Sequence, residues 1–316
     1  MVAASHSALR DGVTLAAGIS VSPPGLTSIV GGGAVWGKGA VVFTVPSYVS
    51  GITFKDVTNA DGNGAGIRHD SGHGLVVEYC SFSNCQDGYL GNASVEFNHC
   101  NFADCGDGSG QTHAIYVSHG AVQATANDCT FTGTKIGHHF KSRAERSTLH
   151  NCTMEPATES YSANFPWGGV VAIDHCRMTK GPNADNDMVI SFGEESDNPL
   201  TVHSLTLTDC ELRSTYPNTT GIRISDKVGT PLVTLTRVAF NGITTLVTGG
   251  SVTYAGCTKD GVPIPDTNPP NGGQIPDEAV TNAELLAAIN AVPQQTTAAF
   301  MALLTEFCNW YASQRK

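Results

Sequence analysis

Charge is scarce in this chain. Only 14% of its 316 residues are Asp, Glu, Lys or Arg, and acids outnumber bases by 28 to 17, leaving a net charge of −11. A surface that grips nucleic acid needs a large positive field, so phosphate backbones are excluded as the general partner. A local basic strip on an acidic body is not excluded. Long apolar runs are also missing: no stretch approaches the roughly 18 residues of a membrane span. The opening Met1-Val2-Ala3-Ala4-Ser5-His6 has no basic n-region and no long apolar h-region, so no secretory signal is read there.

What is present suits a stacked architecture, in which Ser, Thr, Asn and Gly fill turns and ladders. A hydrophobic fraction of 40% is enough for a core, in one elongated domain or two ordinary ones. Residues 1–50 read as an N-terminal cap and first irregular coil, with a weakly helical piece from Ser7 to Leu15 and a strand-like run from Val41 to Val45. From Gly51 a repeat sets in. Its runs are Ile52 to Val57, Leu75 to Phe82, Val95 to Phe102, Ala126 to Phe131, Leu149 to Met154, Ile173 to Met178, Leu207 to Leu212 and Leu235 to Phe240. A shared slot falls at Val57, Cys80, Cys100, Cys129, Cys152, Cys176, Cys210, Val238 and Cys257, about two dozen residues apart.

A second strand follows in most coils: Gly66 to Arg68, Gly88 to Leu90, Ala114 to Val117, Phe140-Lys141, Met188 to Phe192 and Gly221 to Ile224. Short strands stacking at one period without intervening helices predict an all-β fold, a parallel β-solenoid over residues 51–262, and the coil length resembles the single-stranded right-handed parallel β-helix of pectate lyases and phage tailspikes. The same register accounts for the cysteines, which are expected to form an internal ladder of small apolar side chains. Cys80/Cys85 and Cys100/Cys105 superficially resemble paired metal ligands. A ladder needs neither metal nor disulfide, and Val takes the slot twice. Reduced thiols fit folding in a reducing cytoplasm.

Residues 263–276 turn to Pro and Gly and read as a stiff linker. Beyond it, Thr281-Asn282-Ala283-Glu284 is a capping box opening a helix, and a second helix carries Phe300, Leu303, Leu304 and Phe307 at helical spacing. Two short helices with a narrow apolar stripe do not hold alone. Residues 277–316 are therefore expected to be a helical assembly tail, packing on the solenoid, on copies of the chain or on another virion protein.

The chemistry concentrates at Gly137-His138-His139-Phe140-Lys141-Ser142-Arg143. With Phe140 inward, period-2 alternation sends His139, Lys141 and Arg143 outward together. Stacking the second strands adds Tyr116, Ser162, Asn164, Ser191 and Arg223 to the same outer row, with Arg68 and Tyr89 extending it. Basic and aromatic side chains along one groove suit an extended acidic sugar chain. The plainer reading pairs Lys141 and Arg143 with Glu145, Glu194 or Glu195 as a solvated wall.

His113 to Val117, Gly137 to Ala144, Ser160-Tyr161 with Pro166 and Gly168-Gly169, and Gly181-Pro182 with Asn186 and Phe192 to Glu195 resemble bacterial right-handed β-helix repeat proteins over about residues 75–215. Lys141-Ser142 followed by Asn151 is similar to the Lys-Ser…Asn pattern of the alginate lyase and chondroitinase B family. That resemblance implies β-elimination on a uronate, with Lys141 as base and an Arg on the following coil as acid; beside Lys141, His139 and Arg143 are the expected charged neighbours and Tyr116 is a candidate proton donor. The resemblance also implies calcium, for which Glu194, Glu195, Asp185 and Asp187 supply oxygen ligands. The following coil offers Asn164 where the family places an Arg, so Arg143 substitutes only if its reach allows. The absent signal and disulfides and the helical tail resemble phage tailspikes, which fold in the host cytoplasm and trimerise. Three functions stay open: a surface-glycan receptor on a phage particle or bacterial surface, a polysaccharide lyase, and a rigid spacer that needs no aromatic and basic row.

Overall fold

The computed structural model describes residues 38–43, 47–70 and 74–267, together with the backbone of strands Val13–Leu15, Ser20–Val21 and Thr27–Val30. The helical tail proposed for residues 277–316 and most of the linker lie outside the described residues, as does residue 308 with its cysteine. Among the described residues no helix is long and apolar enough to cross a membrane.

Every coil contributes one strand to each of three walls. Ala65–His69, Leu75–Glu78 and Ser81–Ser83 form one such turn, followed by Asp87–Gly91, Val95–Asn98 and Asn101–Ala103 in the next. Wall one runs from Gly39–Phe43 to Thr245–Thr248, wall two from Ser47–Ser50 to Ser251–Ala255, and wall three from Thr27–Val30 to Thr258–Lys259. Pairing within these spans is parallel, as in Leu75↔Val95 and Ser81↔Asn101. The outermost pairs are antiparallel: Val13–Leu15 on wall one, Ser20–Val21 and Val262–Pro263 on wall three. They occupy exposed sheet edges that would otherwise template further strands. The chain is thus a parallel β-helix whose stacking begins before residue 51. Val13–Leu15 is a strand where the sequence reading expected helix.

Inside, one residue type tends to stack on itself. Phe54, Phe82, Phe102 and Phe131 lie nearly parallel with centroids 4.9, 4.7 and 5.0 Å apart, the spacing of paired strands. The nine described cysteines are all free and buried. Their thiols do more than fill space: Cys100, Cys152 and Cys210 donate to the carbonyls of Val77, Ala126 and Ile173 in the preceding coil at 3.4, 3.3 and 3.4 Å. The first coil is registered differently from the sequence alignment. Thr53 pairs with Ser81, which puts Ile52 in the cysteine slot and Val57 over Cys85.

The corner before each slot is a single left-handed residue. Tyr79, His99, Asp128, Asn151, His175, Asp209 and Arg237 all have φ between 50 and 53°. Such a conformation costs a non-glycine residue free energy. Here each corner N–H donates to the next coil, as in His99 to Asn127 at 3.0 Å and Asn151 to Asp174 at 2.9 Å, which offsets the strain coil by coil.

Wall one departs from strict alternation. Its ladder pairs His138↔Tyr161 and Phe140↔Ala163 but skips the rung between them, and the same rung is skipped at Asp87↔Ala65 and Tyr89↔Ile67 and at Met188↔Thr220 and Ile190↔Ile222. At that rung two consecutive residues face inward. Val189 and Ile190 are both fully buried, and a Cβ on Gly66 or Gly88 would run into Phe82 or Phe102 of the core. This slip decides what the outer face presents.

Candidate functional site on wall one

Beyond the slip, the outer row reads Arg68, Leu90, Tyr116, Lys141, Asn164, Ser191 and Arg223, each the registered partner of the next. The expected row is therefore present for Arg68, Tyr116, Lys141, Asn164, Ser191 and Arg223. Tyr89 is not in it. It faces inward beneath Ile115, fully buried, with its hydroxyl against His69 Nδ1 at 3.3 Å, and Leu90 holds the outer position.

His139 is likewise inside. It is the first of the two consecutive inward residues at the slip, in the place Val189 takes two coils on, so its ring enters the corner near Phe131, where Thr134 Oγ1 meets Nδ1 at 2.7 Å and the Glu155 carbonyl lies 3.1 Å from Nε2. Burial pushes its pKa down to about 3, so it is neutral and gives Lys141 no charged neighbour. Ser162, the corresponding residue one coil on, is also fully buried.

Lys141 and Arg143 both converge on Tyr116. The Lys141 ammonium lies 5.0 Å and the Arg143 guanidinium 5.2 Å from the ring centroid, and Arg143 donates to the Tyr116 hydroxyl. Arg143 is held by Glu195 in a two-point contact, its Nε 2.6 Å from Oε2. Glu194 takes hydrogen bonds from Asn164 Nδ2 and from Ser191 Oγ at 3.0 Å, covering both residues, and Lys227 Nζ donates to its carbonyl. Arg68 is neutralised by Asp70 at 2.6 Å.

Lys141 has no ion pair among the described residues, and Arg223 has only the Met188 sulfur at 3.5 Å. Burial, and then the Arg143 guanidinium, push the Lys141 ammonium below the ordinary lysine range. A shifted amine of this kind is suited to accept a proton.

A second column lies beside the row and escaped the sequence reading. Asp87, His113, His138 and Tyr161 sit three residues before Leu90, Tyr116, Lys141 and Asn164. His138 stacks between His113 and Tyr161 at 4.5 and 4.8 Å, and His113 meets Tyr116 edge-on at 5.1 Å. His113 Nδ1 accepts the His138 backbone N–H at 3.1 Å, and Asp87 Oδ1 accepts that of His113 at 2.7 Å. Asp87 Oδ2 and His138 Nδ1 are buried without a hydrogen-bond partner. Burial drives both histidines well below their ordinary pKa, so they are neutral, and pushes the Asp87 carboxyl well above its own ordinary range. The signal for it was the His-x-x-Tyr and His-x-x-Lys spacing, readable once two adjacent inward residues are allowed.

The four acids suggested for calcium do not gather into a ligand set. Glu194 and Glu195 are turned to different donors and Asp185 accepts from Ser160 at 2.8 Å. The described carboxylates and imidazoles that do converge lie elsewhere. Asn151, which carried part of the lyase resemblance, stands at the corner between walls two and three, bonded to Asp128. A cavity of about 350 Å³ also lies off this face, lined by Glu145, Arg146, Val170 and Pro199 to Val202. Its one cation, Arg146, contrasts with the aligned row on wall one.

Residues 31–155 match the family model described as a right handed beta helix region. That gives the solenoid its hand. The matched span holds Tyr116, Lys141 and Arg143 and stops before Asn164, Ser191 and Arg223. No curated protein and no solved structure matches the chain.

Proposed function

We propose that wall one of this β-helix binds an anionic polysaccharide along the row centred on Lys141, as a surface-glycan receptor on a phage particle or bacterial surface, with residues 277–316 as the assembly element. One observation carries the reading: Lys141 and Arg223 lie in the same outer row, neither has a carboxylate partner among the described residues, and three strand spacings separate them by roughly 14 Å. Two uncommitted cations in line, with a tyrosine face beside one of them, match the carboxylates and ring faces of a uronate chain. An open row suits a polymer better than a closed pocket does. A rigid spacer would have no use for it.

A second reading follows from the lowered pKa of Lys141 and its closeness to Tyr116. In β-elimination Lys141 would take the C5 proton of a uronate while the C4–O bond breaks, C4 and C5 become doubly bonded, and the Tyr116 hydroxyl protonates the departing oxygen. Incubation with a panel of uronate polysaccharides tests both readings. Binding that weakens about tenfold or more in Lys141→Ala supports the receptor. Ultraviolet absorbance from an unsaturated product end, lost in the same variant, supports the lyase. No binding to any member, or unchanged binding in Lys141→Ala, rejects the site.

A further inference from the structure

The outer edge between walls two and three carries a cluster unrelated to the wall-one row. His150 ends the strand Arg146–His150, and Asp174 ends Val170–Asp174 as its registered partner in the next coil. His175 follows at the left-handed corner, with φ 51°. Ladder and corner together fix three backbones, and their side chains meet: His150 Nδ1 lies 3.0 Å from Asp174 Oδ2, and His175 Nδ1 lies 2.8 Å from Asp174 Oδ1. One ligand atom from each residue falls within 4.8 Å of the others. A tetrahedral ion bonded at about 2.0–2.2 Å holds its ligand atoms roughly 3.3–3.6 Å apart, so a modest rotation of these exposed side chains brings all three onto one ion.

Behind His175 stands a supporting group. Asp209 Oδ2 is 3.9 Å from His175 Nε2, and Arg237 locks that carboxylate with two hydrogen bonds of 2.6 Å. A histidine that binds metal through one nitrogen and turns the other toward a carboxylate is the usual support of a metal-bound imidazole.

We propose that His150, Asp174 and His175 form a surface site for a divalent first-row transition ion, with zinc as the ion the donor set fits. Two imidazole nitrogens and one carboxylate oxygen are too nitrogen-rich for calcium or magnesium and suit zinc. The side chains are about half exposed, at 48%, 38% and 57%, so the ion arrives directly from solvent. Three protein ligands leave a fourth position for water or for a donor from another molecule.

The test is equilibrium dialysis of the full chain against zinc chloride, followed by metal analysis, with calcium and magnesium chloride as parallel arms. One equivalent of zinc is expected per chain, with no comparable retention of calcium or magnesium. His150→Ala and His175→Gly should each weaken zinc binding at least tenfold. Glycine is chosen at 175 because it accepts the left-handed corner, and circular dichroism verifies that the fold survives. Asp209→Asn should weaken binding by about tenfold. His99→Gly, at the left-handed corner two coils before His150, should leave it unchanged. Failure to retain zinc, or retention undiminished in His150→Ala and His175→Gly, overturns the assignment. Since the readout is bound metal, the result is independent of whether wall one binds a glycan.

Discussion

The Lys141 ammonium sits 5.0 Å from the centroid of the Tyr116 ring, one rung away on wall one, with no carboxylate in ion-pair contact among the described residues. Arg143 approaches the same ring, but Glu195 cancels its charge. One tyrosine thus separates a committed cation from a free one. On the proposed reading, the charge that meets an anionic ligand is that of Lys141 rather than of the pair.

If the row takes an anionic ligand, Glu194 and Glu195 act against it. Both carboxylates are near enough to Lys141 to raise its pKa against the burial that lowers it. In the double variant Glu194→Gln/Glu195→Gln two negative charges leave the groove while the amides keep hydrogen-bonding capacity. Each charge interaction of this kind is worth about 0.3–0.7 kcal/mol. Affinity for a uronate polysaccharide should rise about three- to tenfold, measured by titration at low ionic strength. Unchanged affinity would detach these acids from the site.

Acid should unfold the solenoid through its buried histidines. His113, His138 and His139 all titrate below the ordinary value of 6.5, His139 at about 3. The unfolded chain then binds protons that the folded chain refuses. Stability accordingly falls as pH drops below 6.5, by up to about 1.4 kcal/mol per pH unit for each histidine. His139→Gln keeps a polar group beside Thr134 and removes one titration. Denaturant melts from pH 7 to 4 should show a shallower decline for this variant than for the wild type.

The fold was legible because a solenoid writes its register into the sequence many times over. The cysteine slot, the phenylalanine stack and the outer positions of Tyr116, Lys141, Asn164, Ser191 and Arg223 all follow from stacking alone. The first coil misled, because Ile52 and Val57 are both apolar and both precede a slot-like break. The sequence reading puts Tyr89 one register off, since Leu90, not Tyr89, pairs with Arg68, whereas the error at His139 comes from the slip. Alternation holds along most strands, but wall one turns two neighbours inward at each coil, and extrapolating period 2 across that point inverts everything before it. For the same reason His113 and His138 went unread beside their more obvious neighbours.

The thiol ladder should be chemically silent in the native state. Cys129 and Cys152 are buried and free, and Cys152 donates to the Ala126 carbonyl at 3.3 Å. A thiol reagent should find no reactive cysteine among the nine described until denaturant is added. Cys152→Ala removes both the sulfur's packing and its weak hydrogen bond, for a loss of about 1–2 kcal/mol in urea unfolding. A Cys129–Cys152 disulfide, detected by mass spectrometry of the folded chain, would contradict the ladder.

Gly88→Ala tests the slip in wall one directly. If alternation were intact, residue 88 would face solvent opposite Tyr89, and a methyl group there would be harmless. In the observed fold a Cβ on Gly88 lies 2.4 Å from the Ala114 carbonyl oxygen and 2.8 Å from Phe102 Cδ1. The first contact is backbone and the second belongs to a ring locked in the phenylalanine stack, so neither yields easily. Overpacking of this kind costs about 1–3 kcal/mol. Gly74→Ala, where nothing lies within 4 Å of the new methyl group, is the matched control and should be nearly neutral. Urea unfolding of the two variants side by side separates the alternatives. Equal stability would restore simple alternation and return His139 to the outer face, whereas a selective loss in Gly88→Ala places residue 88, and by the shared rung His139, inside the solenoid.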